Sequence, residues 1–568
     1  MQQKYRNTKE LVQCPFMNPS EIPKILQSLK INPDEISDKK AAEIIRILLQ
    51  IIEILYEENQ ALKAELQKMR DELNKLKGEQ GQPKFPSIKK KQSDISSENE
   101  RKSLNPPSKT KSKEKLSKIK IDFTEVCKVD PLILPEDAEF KGYQTVVVQE
   151  ISINTKNTAY KKEIYYSPSQ HQTFIGKLPK GIEGEFGSEL KSLIITLKHA
   201  SNMSEPKIHE FLENIGINIS PATISRILTK NNDVFHCEKA DIFKAGLSST
   251  VYQQIDDTGA KVNGNNHYAQ ILCNPFYTAY FTIPSKDRLS ILDLLQGGKP
   301  RIYLFNEEAF TLMESFRLPG KMISKIRNAI LNTMLDEKQM QQLMREIFFH
   351  PNKGKIYRTR IMEAAAIAAY HNQTEFPIVQ VLLSDDAPQF KQLTGEQALC
   401  WVHDGRNYKK LEPIIPMYKK ELENFRSRYW DYYRKLLLFK ECPTQEKAEK
   451  LTDDFDVLFS TKTNYQTLNE RIEKTKEKKF ELLLVLKYPE LPLHNNDAEL
   501  GARAQVRKRD VSLHTITEEG TKANDSFSTI VQTAKKLGVS VYDYFNDRVS
   551  KSFKMPSLAE MIRTKCKC

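Results

Sequence analysis

Between residues 38 and 77, apolar side chains recur every seven residues through five heptads that contain neither Pro nor Gly. The a positions of this repeat are Ile45, Ile52, Asn59, Leu66 and Leu73, and the d positions are Leu48, Leu55, Leu62, Met69 and Leu76. β-Branched residues at two a positions, mostly Leu at d and one Asn at a favour a parallel two-stranded coiled coil. The pattern therefore predicts a leucine zipper over residues 38–77 that joins two copies of the chain. The alternative is a single amphipathic helix packed on its own domain.

The segments around this repeat have a different composition. Residues 1–37 form an N-terminal segment, and residues 78–120 are so rich in Lys, Ser, Pro, Gln and Asn that we predict a basic disordered linker. Residues 121–185 alternate apolar and polar positions, which predicts a β-rich module with a hairpin of Tyr143–Ile153 and Tyr160–Tyr166. Cys127 is the lone cysteine of this module. Because a zinc site needs about four ligands, we do not expect zinc there.

Residues 186–245 predict a helix-turn-helix domain. Three short apolar-faced segments follow one another between residues 188 and 230, and Ser220 and Pro221 are typical of the start of the third helix. In such a domain the last helix enters a DNA groove. The candidate DNA contacts on it are Thr223, Ser225, Arg226 and Lys230. The alternative is an ordinary three-helix bundle.

From residue 246 the pattern changes to strands. Three strand-like runs end near residues 256, 273 and 283, a largely helical stretch follows, and a fourth apolar run spans residues 376–383. This order is typical of a ribonuclease-H-like α/β fold. We therefore predict a multidomain α+β protein whose catalytic domain covers residues 246–550, with helical insertions at about 297–372 and 405–490. Residues 551–568 form a C-terminal tail.

Three acidic residues mark the ends of these elements. Asp256 and Asp385 follow apolar strand-like runs, and Glu499 lies at the start of a late helix. Carboxylate oxygens suit Mg²⁺, and two such ions can activate the attacking oxygen and stabilise the leaving one in phosphoryl transfer. Asp257 and Asp386 are their direct neighbours, and since strand side chains alternate, only one acid of each pair can point at the site. Each acid alone also fits a turn or cap.

Polar and basic residues accompany these acids. Arg503, Arg507 and Lys508 follow Glu499 and are candidate phosphate contacts, while Asn495 and Asn496 precede it. Cys400 and His403 lie three apart and could share a helix face, so they could bind a metal with partners elsewhere. We favour His403 as a buried orienting or phosphate-contacting group.

The composition limits the partners and the cellular compartment that we expect. The net charge of +13 and a pI of about 9.0 favour a polyanionic partner. Eight cysteines without framework spacing indicate a reducing cytosol. The sequence has no run of 18 apolar residues, and its N-terminus lacks the pattern of a signal peptide. We therefore expect a protein of the cytoplasm without a membrane span.

Four motifs of this chain resemble those of the transposases of the insertion sequence 66 family. They are Asp256-Asp257-Thr258, Asp385-Asp386-Ala387, Cys400-Trp401-Val402-His403, and Asn495-Asn496-Asp497-Ala498-Glu499 with Arg503 and Arg507-Lys508. The order of zipper, linker and helix-turn-helix is similar as well, so the resemblance covers most of residues 40–550. The chain departs from the family at Asp257, Asp386 and Leu500, where the family has Glu, Gly and Arg, and in its missing Cys-rich module.

The resemblance implies a function for this arrangement. It implies Asp256, Asp385 and Glu499 as an Asp-Asp-Glu triad with two Mg²⁺ or Mn²⁺ ions. It also implies cleavage of double-stranded DNA at the element ends and joining of the freed 3′ hydroxyl to target DNA. The implied location is the nucleoid in a bacterial cytoplasm, and the resemblance leaves open whether helper proteins are needed. Two other hypotheses remain, namely a catalytically inert DNA-binding regulator derived from a transposase and a zipper-bearing scaffold without nucleic acid.

Overall fold

The structure is a computed structural model, and it describes residues 33–76, 119–135, 138–179, 184–348 and 354–566. Most of the predicted N-terminal segment and almost all of the predicted linker over residues 78–120 lie outside these described residues. None of the helices in the described ranges has the length and apolar character needed to cross a membrane.

The N-terminal repeat forms one helix, α1 (Lys39–Leu76), as its periodicity predicted. The hairpin predicted after it is wrong in position. Residues 143–163 contain no strand, whereas β1 (Ile164–Ser167) and β2 (Gln172–Ile175) pair antiparallel with Ser167 opposite Gln172. The turn lies between these two short runs, where Pro168 and His171, with its φ of +47°, reverse the chain.

Four helices precede the main sheet. They are α2 (Ser188–His199), α3 (Glu205–Asn214), α4 (Pro221–Thr229) and α5 (Asp233–Leu247). The side chain of Ser220 accepts a hydrogen bond from the backbone N–H of Thr223 and so caps α4, which is why this helix begins where the sequence predicted. The first three helices therefore form the predicted helical elements, and they share one hydrophobic core with the sheet domain rather than having a core of their own.

The predicted meander of three strands is present. β3 (Tyr252–Val262), β4 (Asn265–Asn274) and β5 (Tyr277–Ile283) pair antiparallel in order. Asn263 and Gly264 both have positive φ, at +48° and +77°, which is the conformation that a two-residue hairpin loop requires. The alternating sequence and this Asn-Gly pair together determine the register.

The segment between the third and fourth core strands is mostly helical, as predicted, but it includes a small hairpin that the sequence analysis missed. Its elements are α6 (Arg288–Leu295), β6 (Ile302–Phe305), α7 (Glu307–Ser315), α8 (Gly320–Ile330), β7 (Thr333–Asp336), α9 (Glu337–Ile347) and α10 (Lys355–Asn372). β6 and β7 pair only with each other.

Two short parallel strands complete the main sheet. β8 (Val381–Ser384) is shorter than the predicted run, and β9 (Glu396–Leu399) was not predicted. The strand order is β5-β4-β3-β8-β9, with the first three antiparallel and β3, β8 and β9 parallel to one another. The chain is thus a mixed α/β protein whose sheet combines a meander with parallel strands.

Helices fill the remaining chain. They are α11 (Trp401–Lys409), α12 (Pro416–Glu441), α13 (Gln445–Leu458), α14 (Gln466–Lys476), α15 (Lys479–Leu482), α16 (Leu484–Lys487), α17 (Asn496–Ser512), α18 (Glu518–Leu537), α19 (Val541–Val549) and α20 (Leu558–Lys565). Helices α11 to α16 have their own aromatic-rich core around Trp401 and Tyr433, against which part of α1 packs. Ile255 and Leu382 face the large core on one side of the sheet, and Tyr252 and Leu383 face the opposite side.

Candidate active site

The carboxylates of Asp256 and Asp385 belong to neighbouring parallel strands. Gln254 of β3 pairs with Leu383 of β8, and two residues further along each strand come Asp256 and Asp385. Because the strands run in the same direction, the two acids lie side by side where β8 ends, although β3 continues past Asp256 to Val262, so Asp256 lies within its strand and not at the predicted strand end. The alternation of side chains gives Asp256 the face that also carries Tyr252 and Gln254.

Helix α17 covers this face and brings Glu499 to it. Ile271, the β4 neighbour of Asp256, packs with Tyr280 and with Ala502 of the helix. Gly501 permits the close approach, since a Cβ at this position would lie 2.7 Å from the Ile271 side chain, and its carbonyl accepts a 3.1 Å hydrogen bond from the Tyr280 hydroxyl. Glu499 precedes Ala502 by three residues and so shares its side of the helix, and its charge acts on Asp256.

The electrostatics of Asp256 show how much negative charge gathers here. Burial, with the charges of Asp385, Glu499 and Asp257, raises the pKa of Asp256 to about 7 against the effect of a 2.8 Å hydrogen bond from the backbone N–H of Asp257. A carboxyl group whose pKa is raised this far needs a nearby cation to stay ionised, and only the ionised form acts as a metal ligand or a base. The site is therefore suited to a positively charged ion.

The neighbouring acids are engaged elsewhere. Asp257 lies on the opposite face of β3, with its carboxylate 3.1 Å from Lys286 Nζ. Asp386 is bound by Lys478 at 2.5 Å and by Lys391 at 3.2 Å, and although burial acts to raise its pKa, these two lysines lower the pKa below its usual value. Asp256 and Asp257 thus lie on opposite faces of β3, whereas Asp385 and Asp386 line the same cleft.

Cations and one histidine surround Glu499. Arg406 lies 3.5 Å and Arg503 3.4 Å from its carboxylate, and His403 Nε2 lies 3.7 Å away. Burial and the charge of Arg406 lower the pKa of His403, while Glu499 and Asp385 act to raise it. The Nδ1 atom of His403 is buried without a hydrogen-bond partner. His403 therefore lies between two of the acids, as an orienting role would require.

The residues fit a hard divalent cation in chemistry but are not gathered around one point. Among the described residues, no three His, Cys, Asp or Glu side chains converge closely enough to hold a metal ion. Glu499 instead pairs with the two arginines. Mg²⁺ and Mn²⁺ bind carboxylate oxygens of the kind that these three residues supply. The negative charges near Asp256 also favour such an ion.

A cleft of about 450 Å³ opens beside Asp385. His403, Arg406, Lys410 and Lys478 line it together with Asp386 and Asp404, so both basic and acidic groups lie beside Asp385. Lys478 comes from the turn between α14 and α15, 93 residues along the chain from Asp385, and the sequence offered no signal that would connect the two. Such a cleft can hold the oxygen atoms of a phosphate group.

Asn495 and Cys400 have structural roles. Asn495 Nδ2 donates a 2.7 Å hydrogen bond to the carbonyl of Ile255, and its backbone N–H lies 3.3 Å from Cys400 Sγ. Burial raises the pKa of Cys400 to about 11, so this thiol stays protonated and is a poor metal ligand. Asn496 is buried at the start of α17. These residues hold the helix that carries Glu499 against the strand that carries Asp256.

The predicted DNA contacts divide into exposed and buried residues. Arg226, Arg503 and Arg507 are exposed, Thr223 and Ser225 are half-buried, and the exposed Lys230 is paired with Glu519 at 3.3 Å. Lys508 is buried, and its Nζ bonds to His199 Nδ1 at 2.6 Å and to Ser528 at 3.0 Å. Contrary to the prediction, Lys508 therefore does not extend the basic surface beside Glu499.

The burial of Lys508 has a measurable consequence for stability. Burial, with the charge of Lys198, lowers its pKa to about 7 against the opposing charge of Asp525. The unfolded chain therefore binds more protons than the folded chain between about pH 7 and 10. We expect the unfolding free energy of the wild type, relative to Lys508→Met, to rise by up to about 1.4 kcal/mol per pH unit there. Urea unfolding at pH 7, 8 and 9 tests this, and a pH-independent difference would contradict it.

The residues predicted to form the zipper are mostly exposed in the single chain. Leu48, Leu55, Asn59, Leu62, Leu66, Met69 and Leu73 are exposed, Ile52 is half-buried, and the side chain of Leu76 is outside the described residues. Ile45 instead packs against the aromatic core of α11 to α16. The first heptad thus contacts its own chain, and the later ones leave an apolar stripe uncovered.

Fold and site together define an α/β protein with three acidic side chains at the carboxyl edge of a mixed sheet. No family model matches the chain. It is 32% identical over 309 residues to "Uncharacterized protein y4jO" of Sinorhizobium fredii (strain NBRC 101917 / NGR234), a match that covers 54% of this chain and 94% of that protein. The chain therefore belongs to the family of that protein, whose name states no activity.

Proposed function

We propose that the chain is a DNA transposase with a ribonuclease-H-like catalytic domain and an Asp-Asp-Glu triad, of the kind that the insertion sequence 66 resemblance implies. The observation that carries the proposal is that Asp256, Asp385 and Glu499, which are far apart in sequence, lie close enough for the charges of Asp385 and Glu499 to raise the pKa of Asp256. The strand order, an antiparallel meander followed by parallel strands, supports the ribonuclease-H-like assignment.

The proposed chemistry is phosphoryl transfer in two steps. Water attacks the phosphorus at an element end and the P–O3′ bond breaks, and the freed 3′ hydroxyl then attacks a target phosphate and expels a new 3′ oxygen. Asp256, Asp385 and Glu499 would hold the Mg²⁺ or Mn²⁺ ions. When bound, the ions activate the attacking oxygen and stabilise the leaving oxygen.

The cleft beside Asp385 supports a role for the α11–α16 insertion in this reaction. Arg406, Lys410 and Lys478 line it beside Asp385, and they would bind non-bridging phosphate oxygens and so orient the strand. The sequence left open whether this insertion contacts DNA or only covers the sheet. These side chains favour DNA contact, and the helix-turn-helix would supply further contacts through Arg226.

One exposed lysine allows a direct test of the cleft. Lys410 lies at its rim, with its ammonium 3.2 Å from Asn407 and no ion pair to an acid among the described residues. We expect Lys410→Gln to weaken binding to all DNA sequences alike and to lower the slope of log affinity against log salt concentration by about one. Fluorescence anisotropy from 50 to 200 mM salt measures this, and Lys321→Gln, on the exposed side of α8, is the matched control. Equal slopes for the two variants would show that Lys410 does not contact DNA.

The experiment that tests the function uses the full chain with linear DNA that carries the ends of the element in which the sequence lies. We expect Mg²⁺-dependent nicking at those ends and covalent joining of the 3′ ends to a target plasmid. Absence of both activities, while the protein still binds the DNA, would favour the second candidate. That candidate is an inert DNA-binding regulator, and the pairing of Glu499 with Arg406 and Arg503 is the observation that favours it.

A further inference from the structure

A second cavity, of about 420 Å³, lies away from the acids. Its lining comes from Ser225 and Thr229 of α4, from Gly259 to Lys261 of β3, and from the C-terminal half of α17. It shares no lining residue with the cleft beside Asp385. Gly259 is three residues beyond Asp256 on β3, so the cavity begins about 10 Å from that acid at roughly 3.3 Å per strand residue. It therefore lies between the third helix of the helix-turn-helix and the catalytic strand.

The charge of the lining is strongly positive. The basic residues around the cavity are Lys198, Lys230, Lys261, Lys508 and Arg509, and the one carboxylate that lines it is that of Glu205, which lies 3.6 Å from Lys198. An excess of cations around a concave site selects an anion, and several convergent cations favour one that carries more than a single charge. A phosphate group meets this requirement.

A buried donor in the lining has no partner. His199 is 7% exposed, and its Nδ1 faces the ammonium of Lys508 at 2.6 Å. In the tautomer in which Lys508 donates to Nδ1, the proton of the neutral imidazole is on Nε2. Burial first, and then the charges of Lys508 and Lys198, lower the pKa of His199, which keeps the ring neutral. Nε2 is buried without a hydrogen-bond partner, so this N–H lacks an acceptor that a ligand oxygen would supply.

The mouth of the cavity adds an apolar surface. Leu513 and Ile516 both line it, and they are 70% and 69% exposed. Leu513 has a φ of +58°, a conformation that is costly for a residue with a branched side chain and that persists where the surroundings impose it. Exposed apolar side chains beside a cationic end match a ligand that has a charged group and a flat apolar group.

We propose that this cavity binds one nucleotide unit, with its phosphate at Lys508 and His199 and its base against Leu513 and Ile516. A nucleotide of a DNA strand and a free nucleotide both present a phosphate and a nucleobase, so either could be the ligand. The proposal extends the DNA contact proposed above but does not rest on the acids, because binding in the cavity needs no cleavage chemistry.

The test is a binding experiment on the full chain without divalent metal. Three probes are titrated in parallel: deoxyadenosine 5′-monophosphate, deoxyadenosine, and a short single-stranded oligodeoxynucleotide, each followed by calorimetry. We expect binding of the monophosphate but not of the nucleoside, and at least tenfold weaker binding of the monophosphate to Lys508→Met. An oligonucleotide that competes with the monophosphate identifies a DNA strand as the source, and one that does not identifies the free nucleotide.

Two further variants keep the proposal testable if Lys508→Met does not fold. Lys261→Gln changes an exposed residue of the lining, and we expect it to weaken the binding of the monophosphate at least threefold. Lys325→Gln changes an exposed lysine of α8 outside the cavity, and we expect no change. Equal affinity for the wild type and Lys261→Gln, or equal binding of nucleotide and nucleoside, would overturn the proposal. Loss of DNA cleavage in separate assays would not affect it.

Discussion

Replacing Asp256 by Asn is expected to reduce Mg²⁺-dependent DNA cleavage by at least about a thousandfold, which corresponds to roughly 4 kcal/mol of transition-state stabilisation. The substitution keeps the size of the side chain but removes the charge that would hold the ions. Asp385→Asn and Glu499→Gln are expected to have losses of similar size, because all three carboxylates belong to one site. A gel assay of strand nicking on end-bearing DNA measures the rates.

The neighbouring acids provide matched controls for this prediction. Asp257→Asn and Asp386→Asn make the same chemical change one residue away, at carboxylates that are bound to Lys286 and to Lys478 and Lys391. We expect these variants to keep cleavage within about tenfold of the wild type, since their effect is limited to an ion pair near the surface. If Asp257→Asn abolished cleavage and Asp256→Asn did not, the face of β3 that carries the site would be the opposite one.

The sequence predicted the long strands of the sheet better than the short ones. Long alternating runs with an Asn-Gly turn identify β3 and β4, because both the apolar period and the turn chemistry point to one register. β9 has four residues, Glu396–Leu399, and contributes too short a pattern to be distinguished from a loop. Its place at the edge of the sheet is determined by pairing with β8, which is information that a local pattern does not contain.

Lys508 shows a prediction that failed although the sequence contained the relevant signal. It follows Gly501 by seven residues, which is two helical turns, so it lies on the face of α17 that packs against the core. Arg503 and Arg507 follow Glu499 by four and eight residues and share its exposed side. Grouping the basic residues by helical face rather than by nearness in sequence would have separated Lys508 from the arginines.

Helix α1 presents two faces with different partners. On one face, Leu49 and Glu53 are buried against the chain's own insertion, and the Glu53 carboxylate accepts hydrogen bonds from the backbone N–H groups of Ile414 at 2.8 Å and Ile415 at 3.2 Å. These N–H groups lie just before α12, so Glu53 supplies acceptors where the helix begins. On another face, Leu55 and Leu62 are 58% and 59% exposed. One helix thus anchors to its own chain through one face and leaves leucine side chains exposed on another.

We expect the double variant Leu55→Glu, Leu62→Glu to weaken dimerisation of the full chain at least a hundredfold. Burial of each leucine contributes about 1.5 to 3 kcal/mol, and the substitution also opposes like charges across the two-fold seam. Sedimentation equilibrium over a range of micromolar concentrations measures the dissociation constant. The unfolding of each chain should change little, because both side chains are exposed in the single chain.

Glu53→Ala is the matched variant on the other face of the same helix. It removes the acceptors for Ile414 and Ile415, and two buried N–H groups without partners lower the free energy of unfolding by about 1 to 3 kcal/mol. It leaves the leucine stripe intact, so dimerisation should stay close to that of the wild type. A wild-type chain that remains monomeric at all these concentrations, or a leucine variant that dimerises as well as the wild type, would rule out the zipper. If the zipper forms, the leucine variant weakens dimerisation and Glu53→Ala weakens chain stability, because the two faces of α1 then contact different molecules.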